Sequence, residues 1–255
     1  MSFLNADEYN AQDAVEKDVV GGGGFKALAS NIYDFTVNHA YFSKAASGAR
    51  AVNLELETKD GSKHRFTIYV TNREGSIKYK DKQTGELKYL PGFQTVDALC
   101  KLTSGKSLIE LQAATEKRTL NLYNYDQKRE VPTDVDMLMP LLKKTVKAAV
   151  VERIENKTKK NESTGKYDPI NEKRTTNEIV KFMRERDSMT VGEIIGKKAE
   201  AEYAKNWLSV WENKPDDRFK EVAQAGNAGA PGGAFAGGVG AEPAGTTAGQ
   251  DNLFM

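Results

Sequence analysis

Lysine and arginine interleaved with aromatic residues, in runs that alternate like strands, are the most plainly usable chemistry in this chain. In VNLELETKDGSKHRFTIYVTNREG (52–75), Arg65, Tyr69 and Arg73 fall on one side of an alternating run, opposite His64, Phe66, Ile68 and Val70. In SIKYKDKQTGELKYLPGF (76–93), Lys78, Lys80, Lys82 and Lys88 alternate with Tyr79 and Tyr89. Lys144, Lys147, Arg153 and Lys157, followed by Lys159 and Lys160, mark a third stretch. Cations spaced this way track phosphates, and the aromatic faces between them stack exposed bases, as a single nucleic-acid strand requires. Each stacked base contributes about 1–3 kcal/mol, and every base has a π-face, so such a surface tolerates any sequence. Tyr79 and Tyr89 equally fit a plain cross-strand pair that packs a hairpin.

Catalytic chemistry is harder to assemble. His39 and His64 are the only histidines, and both lie on the apolar sides of alternating runs, which suits a core role. Asp134 and Asp136 offer two carboxylates to a divalent ion, but a Pro-flanked acidic loop accounts for them more simply. Gly105-Lys106-Ser107 imitates the end of a phosphate-binding loop, yet the required first glycine would stand at Cys100, in a stretch that reads as helix. Gly21-Gly22-Gly23-Gly24 has no strand before it and no Gly-Lys-Ser/Thr after it, so it reads as a hinge. The expectation is a protein that is not an enzyme and carries no cofactor and no metal.

The net charge of +1 hides an uneven distribution. Residues 1–24 are acidic, 25–222 carry a basic excess, and 223–255 contain no Lys or Arg. A basic body between acidic ends suggests a polyanionic partner. Cys100, the single cysteine, excludes an intrachain disulfide. The opening MSFLNADEYNAQDAVEKD has neither a basic start nor an apolar run, and no apolar stretch reaches the roughly 18–20 residues needed to span a bilayer. A cytoplasmic protein is expected, without a membrane partner.

The elements that must hold these residues read mainly as β. Tyr33, Phe35, Val37, His39 and Tyr41 alternate with Asp34, Thr36 and Asn38; Val52, Leu54 and Leu56 alternate with Asn53, Glu55 and Glu57. An Asp60-Gly61 turn joins the second run to the third, giving an antiparallel meander. A hairpin around Gln83-Thr84-Gly85 ends at Pro91-Gly92, and a helix with Val96, Leu99, Cys100 and Thr103 on one stripe follows. Residues 117–125 read as a strand. Residues 144–160 read as a long strand, with a helix as the alternative, and 161–177 as a long hairpin loop leading into 178–183. A helix near 193–213 sets Ala204, Trp207, Leu208 and Trp211 on one stripe, so both tryptophans anchor a core, and Pro215 stops it.

Residues 223–255 are rich in Gly and Ala and end in Asp251-Asn252-Leu253-Phe254-Met255. Glycine loses much backbone entropy on ordering and has nothing to bury, so this segment is expected to be a disordered tether with an acidic, aromatic tip. The organisation is then an acidic segment and hinge (1–24), a core (25–196), a C-terminal helix packed on that core (197–222), and the tail (223–255).

Several stretches together resemble the single-stranded DNA-binding proteins of tailed bacteriophages. They are Ile32-Tyr33-Asp34-Phe35 leading to Ala40-Tyr41, residues 52–75, YLPGFQTVDALCKLT (89–103), and AEAEYAKNW (199–207) before a Gly-rich tail. The resemblance covers most of 25–222 in pattern and order. It implies an OB-fold antiparallel barrel, here elaborated by the 76–90 hairpin and the 161–177 loop. It also implies a protein that coats and protects single-stranded DNA during replication and recombination. In proteins of this function an acidic tip with a terminal Phe recruits replication proteins such as a polymerase, a helicase or primase, or a recombinase. Asp251, Leu253 and Phe254 match that tip; here, however, it has one acid and Met255 follows the Phe. The alternative from another class is a non-enzymatic interaction or scaffold protein whose basic surface is incidental. A third is a metal-dependent nuclease using Asp134 and Asp136.

Overall fold

The computed structural model describes residues 27–124 and 127–222. Its first three strands, β1 (Asn31–Lys44), β2 (Arg50–Thr58) and β3 (Lys63–Tyr69), form the antiparallel meander that the alternation requires. Val52, Leu54, Leu56, Phe66 and Val70 turn into the core. Between β2 and β3 the turn places Gly61 at φ 82°, a left-handed conformation costly for other residues, and Asp60 accepts from Ser62 Oγ at 3.0 Å.

β1 departs from simple alternation. A bulge between Val37 and His39 shifts the register, so Phe35, Val37 and Ala40 are buried while His39 and Tyr41 move to the outer face. The expected apolar-side position of His39 is therefore corrected: its ring stands opposite Glu55 on the solvent side.

A small hairpin, β4 (Lys78–Lys80) and β5 (Leu87–Tyr89), leads into helix α1 (Pro91–Ser104). Pro91 occupies the first turn, where no N–H is needed, and Gly105 closes the helix at φ 73° with its N–H on Lys101 O. Phe93, Val96, Leu99 and Cys100 bury one face of α1 in the main core. Helix α2 (Leu108–Leu111) carries a Ser107/Glu110 capping box.

Next comes the hairpin β6 (Thr115–Asn124) and β7 (Arg129–Leu138). The expected acidic loop at Thr133–Asp136 is corrected: these residues belong to β7 and pair with 117–120 of β6. Pro132 is tolerated because it falls on a half-exposed hairpin ribbon and not in a central strand.

The two longest strands, β8 (Thr145–Lys160) and β9 (Tyr167–Met183), build an antiparallel arm. Residues 145–160 are thus strand and not helix. The expected loop over 161–177 shrinks to a tight turn, because from Tyr167 onward the chain pairs back along β8.

β8 and β7 share one edge of β1: β8 pairs with Asn31–Thr36, β7 with Tyr41 and Phe42. The change of partner falls at the bulge, where Val37 exchanges backbone hydrogen bonds with Lys143 and Lys144. Adjacent strands then run β9-β8-β1-β2-β3, with no ladder between β9 and β3 among the described residues.

The expected helix over 193–213 is two helices, α3 (Val191–Ile195) and α4 (Glu202–Trp211). Ala204 and Trp207 pack against Ala149, Val151 and Met183, forming a second core on the far side of β8. Val146, Ala148 and Val150 face the main core, so this part of β8 is buried on both sides. After α4, β10 (Asp216–Asp217) runs parallel to β8 as part of a strap along the arm. Asn156 Nδ2 donates to Lys220 O at 2.7 Å, and the Lys220 N–H returns to Asn156 Oδ1 at 3.0 Å. Asn171 makes the same reciprocal pair with Val222, at 2.8 and 2.6 Å.

Candidate functional site

The cross-strand register arranges the outer face of β1, β2 and β3 in three rows: His39–Glu55–Arg65, Tyr41–Asn53–Thr67 and Ser43–Ala51–Tyr69. In the first row Glu55 is only 7% exposed. It accepts from Arg65 Nε at 3.1 Å and lies 3.3 Å from His39 Nδ1. A carboxylate this buried needs such partners, and it fixes the inner end of Arg65 while the rest of that side chain reaches solvent. In the second row Thr67 Oγ1 donates to Asn53 Oδ1 and Asn53 Nδ2 to Ser43 Oγ, both at 2.7 Å. Burial raises the Tyr41 phenol above its ordinary value, and the nearby Arg65 charge pulls it back. The face is thus an internally hydrogen-bonded polar surface with a guanidinium and two phenols on it.

At the third row the sheet meets α1 and the small hairpin. A β-carbon on Gly92 would overlap the Tyr69 carbonyl oxygen and sit 3.1 Å from its carbon, so only glycine lets the helix start dock this closely on the end of β3. The docking carries Phe93 and Tyr89 along. Their rings stack with centroids 5.4 Å apart at 20°, and Lys78 Nζ stands 4.6 Å from the Tyr89 centroid. Tyr89 keeps 44% of its surface exposed. The hairpin register pairs Lys78 with Tyr89 and Tyr79 with Lys88, which puts the two tyrosines on opposite faces. The expected alternative of a Tyr79–Tyr89 cross-strand pair is therefore corrected, and Tyr79 packs against the main core.

Arg73 lies beyond the end of β3, in the Asn72–Ser76 turn, and not on the strand. It nevertheless reaches the same end of the sheet. Gly48, at φ 95°, approaches so closely that a β-carbon would lie 2.7 Å from Arg73 O. Arg50 N donates to Thr71 Oγ1 at 2.9 Å, and Arg50 pairs with Lys44 across β1 and β2. Lys44, Arg50 and Arg73 are exposed there together. Sequence reading passed over Lys44 and Arg50 because they flank a turn outside any alternating run.

The other expected cations are placed differently. Lys88 is tied to Asp81 at 2.6 Å and braces the hairpin turn. That bond, with the Thr84 and Gln83 amides, holds the Asp81 carboxyl far below the usual carboxylate range. Lys80 is exposed on the hairpin. Lys144 lies across β1 from the outer rows, at the β7–β8 connection. Lys147 donates to Ser188 Oγ at 3.1 Å; Arg153 is paired with Glu178 and, at 3.3 Å, with Asp216; Lys157 is 2.9 Å from Glu172. These groups brace the arm and its strap. Tyr69, Arg73, Lys78 and Tyr89 thus lie toward one end of the sheet, Arg65 stands two rows away on the same face as Tyr69, and Lys144, Lys147, Arg153 and Lys157 fall outside that group.

Asp134 accepts from Thr119 Oγ1 at 2.6 Å and Asp136 lies 3.4 Å from Lys117. Among the described residues no group of His, Cys, Asp or Glu is placed to hold a metal ion, and no helix is long and apolar enough to cross a membrane. Burial pushes the Cys100 thiol up to about 12, so it carries no thiolate at neutral pH. Asp251, Leu253 and Phe254, like residues 1–24, lie outside the described residues. In comparisons with known proteins, no protein-family model and no curated protein matches the chain.

Proposed function

We propose that this protein binds single-stranded DNA without regard to sequence and performs no catalysis. The observation that carries the reading is the platform at the end of β3. Tyr89 stacks on Phe93 with Lys78 Nζ 4.6 Å from its centroid, the Tyr69 backbone docks on Gly92 at the start of the same helix, and Lys44 and Arg50 pair across the sheet end that Arg73 approaches through Gly48. Aromatic faces fixed before binding lose little entropy when a base stacks on them, and the surrounding cations neutralise phosphates. A duplex keeps its bases stacked inside, so this surface has nothing to stack on there. Arg65, Tyr41, Asn53 and Thr67 extend the surface along the outer face of β2 and β3.

An OB-fold barrel suits the strand order β9-β8-β1-β2-β3 with α1 between the third and fourth of these strands in sequence. The outer face of the second and third strands is the binding face of that fold. In this reading the β6–β7 hairpin is an insertion and the arm an extended loop between the last two barrel strands. The role follows from the binding: coating and protecting single strands in replication and recombination, in the cytoplasm of a host cell if the protein is phage-encoded. The tip Asp251, Leu253 and Phe254 would recruit a polymerase, helicase, primase or recombinase.

The ion pairs of Lys147 with Asp34, Arg153 with Asp216 and Lys157 with Glu172 favour a second reading, a scaffold whose basic residues serve its own structure. A mobility shift with single-stranded DNA, duplex DNA and RNA, with and without residues 223–255, separates the two. DNA binding predicts a shift with the single strand and equal or higher affinity without the weakly acidic tail. No shift at physiological salt leaves the scaffold.

A further inference from the structure

The acidic N-terminal segment joins the body beside the binding face. Leu28 is pinned to β9: its N–H donates to Asn177 Oδ1 at 2.8 Å, and the Asn177 amide donates back to Leu28 O at 2.7 Å. Leu28 packs on the main core, and the buried Ser30 accepts from the Glu152 N–H at 2.9 Å. Asn177 also lines a cleft of about 250 Å³ between β9 and β3, with His64, Arg65, Phe66 and Thr176. Residues 1–26 are therefore tethered at the wall of that cleft. Across it, β3 pairs only with β2 among the described residues, so its outer edge is open to another segment.

We propose that this open edge of β3, from the cleft toward Arg73, is the docking site of the chain's own residues 1–20. Charge favours this occupant. Residues 1–20 hold five acids, Asp7, Glu8, Asp13, Glu16 and Asp18, against the single base Lys17. Along β3 they meet Arg65, whose side chain is 70% exposed, and at its far end Lys44, Arg50 and Arg73, which are all exposed. Length allows it as well. Residues 21–26 span at most about 20 Å when extended, enough to carry Glu16 and Asp18 from the Asn177 wall to Arg65, on the same cleft. Strand β3 is about 23 Å long, and residues 7–20 extend to about 46 Å, so Asp7 and Glu8 reach its far end. Residues 21–24 are all glycine, with no side chain to obstruct a cleft this small.

The consequence for nucleic acid rests on the single-stranded DNA reading above. The docked acids compete with phosphates for the same cations, so the segment holds off short or weakly bound strands. A long strand makes enough contacts to displace it.

The test places a nitroxide label on the full chain at Asn10→Cys and reads broadening of backbone amide signals by NMR. Cys100 is buried and carries no thiolate at neutral pH, so the label goes to the new cysteine. The comparison is the same labelled chain with Asp7→Asn, Glu8→Gln, Asp13→Asn, Glu16→Gln and Asp18→Asn, which keeps the tether and removes the charge. Amides of β3 should broaden at low salt in the acidic chain, and far less in the neutralised chain or at about 1 M salt, where charges are screened within about 3 Å. Equal broadening in both chains overturns the docking. Broadening passed between labelled and unlabelled chains in a mixture would assign the site to a second copy and overturn docking within the chain. Saturating oligo-dT should reverse the broadening, and the neutralised chain should bind oligo-dT about 3- to 10-fold more tightly, as a few screened surface ion pairs allow. Broadening that survives oligo-dT, with equal affinities, overturns the competition. If the wild-type protein binds no strand while the broadening persists, the DNA reading fails and the docking stands.

Discussion

Gly92 and Tyr69 are in backbone contact: the first turn of α1 rests on the carbonyl at the end of β3 with no room for a side chain between them. Ile68 Cγ2 would also lie 3.2 Å from any β-carbon at this glycine. The contact fixes the angle between helix and sheet, and with it the positions of Tyr89, Phe93 and Lys78 relative to Tyr69. Gly92→Ala should therefore act as overpacking and destabilise by about 1–3 kcal/mol, read from urea unfolding. It should also weaken binding to oligo-dT, because the platform shifts. An unchanged midpoint would mean that helix and strand separate without cost.

The two hairpin tyrosines should separate stability from binding. Tyr89 is exposed on Phe93, whereas Tyr79 packs on the main core. Tyr89→Ala should lower oligo-dT affinity by about 1–3 kcal/mol with little change in thermal stability. Tyr79→Ala should do the reverse. Equal effects from the two on both measurements would contradict the assignment of faces.

A pH effect on stability should trace to His64. Burial holds its pKa below the ordinary 6.5, and Asp60 opposes this only in part. As pH falls through about 6.5 the unfolded chain takes up the proton before the folded one does, so the unfolded state binds more protons in that window and stability falls with pH. The loss stops growing below the folded-state pKa. His64→Phe lacks this component, so the wild-type urea midpoint should decline more than the variant's between about pH 7 and pH 5. Parallel declines would mean that His64 titrates as it does in water.

The strap is held to the arm by polar contacts and carries little apolar weight. Asn171 supplies both hydrogen bonds to Val222, and Arg218 N donates to Ile154 O at 2.8 Å. Asn171→Ala should release the Val222 amide to fast hydrogen exchange while amides in β1 and β2 keep their protection. Global loss of protection would mean the strap is part of the cooperative core.

The meander was legible because Val52, Leu54 and Leu56 alternate strictly with polar residues and one face must be buried. The bulge in β1 was not, since one extra residue leaves no compositional mark yet turns His39 and Tyr41 to the other face. The returning strand of the arm, from Tyr167 to Asn177, was read as loop for a different reason. From Glu155 to Arg174 the arm has no buried face, so the hydrophobic period that announces a strand is missing, and it stands on backbone pairing and ion pairs such as Arg174–Glu155. Arg65, Tyr69 and Tyr89 were read from the cation–aromatic pattern alone. Their grouping with Lys44 and Arg50 required close approaches at Gly48 and Gly92, which a sequence records only as glycines.

A salt titration of oligo-dT binding tests the central claim most directly. Cations that neutralise phosphates release counterions, so the logarithm of the binding constant should fall linearly with the logarithm of salt, by about 0.7 per phosphate contacted. Arg73→Ala combined with Arg50→Ala should make that slope shallower and leave the fold intact. A steep linear decline in the wild-type protein, reduced in the variant, is the result this account predicts. Binding that is absent, or indifferent to salt in both proteins, would contradict it.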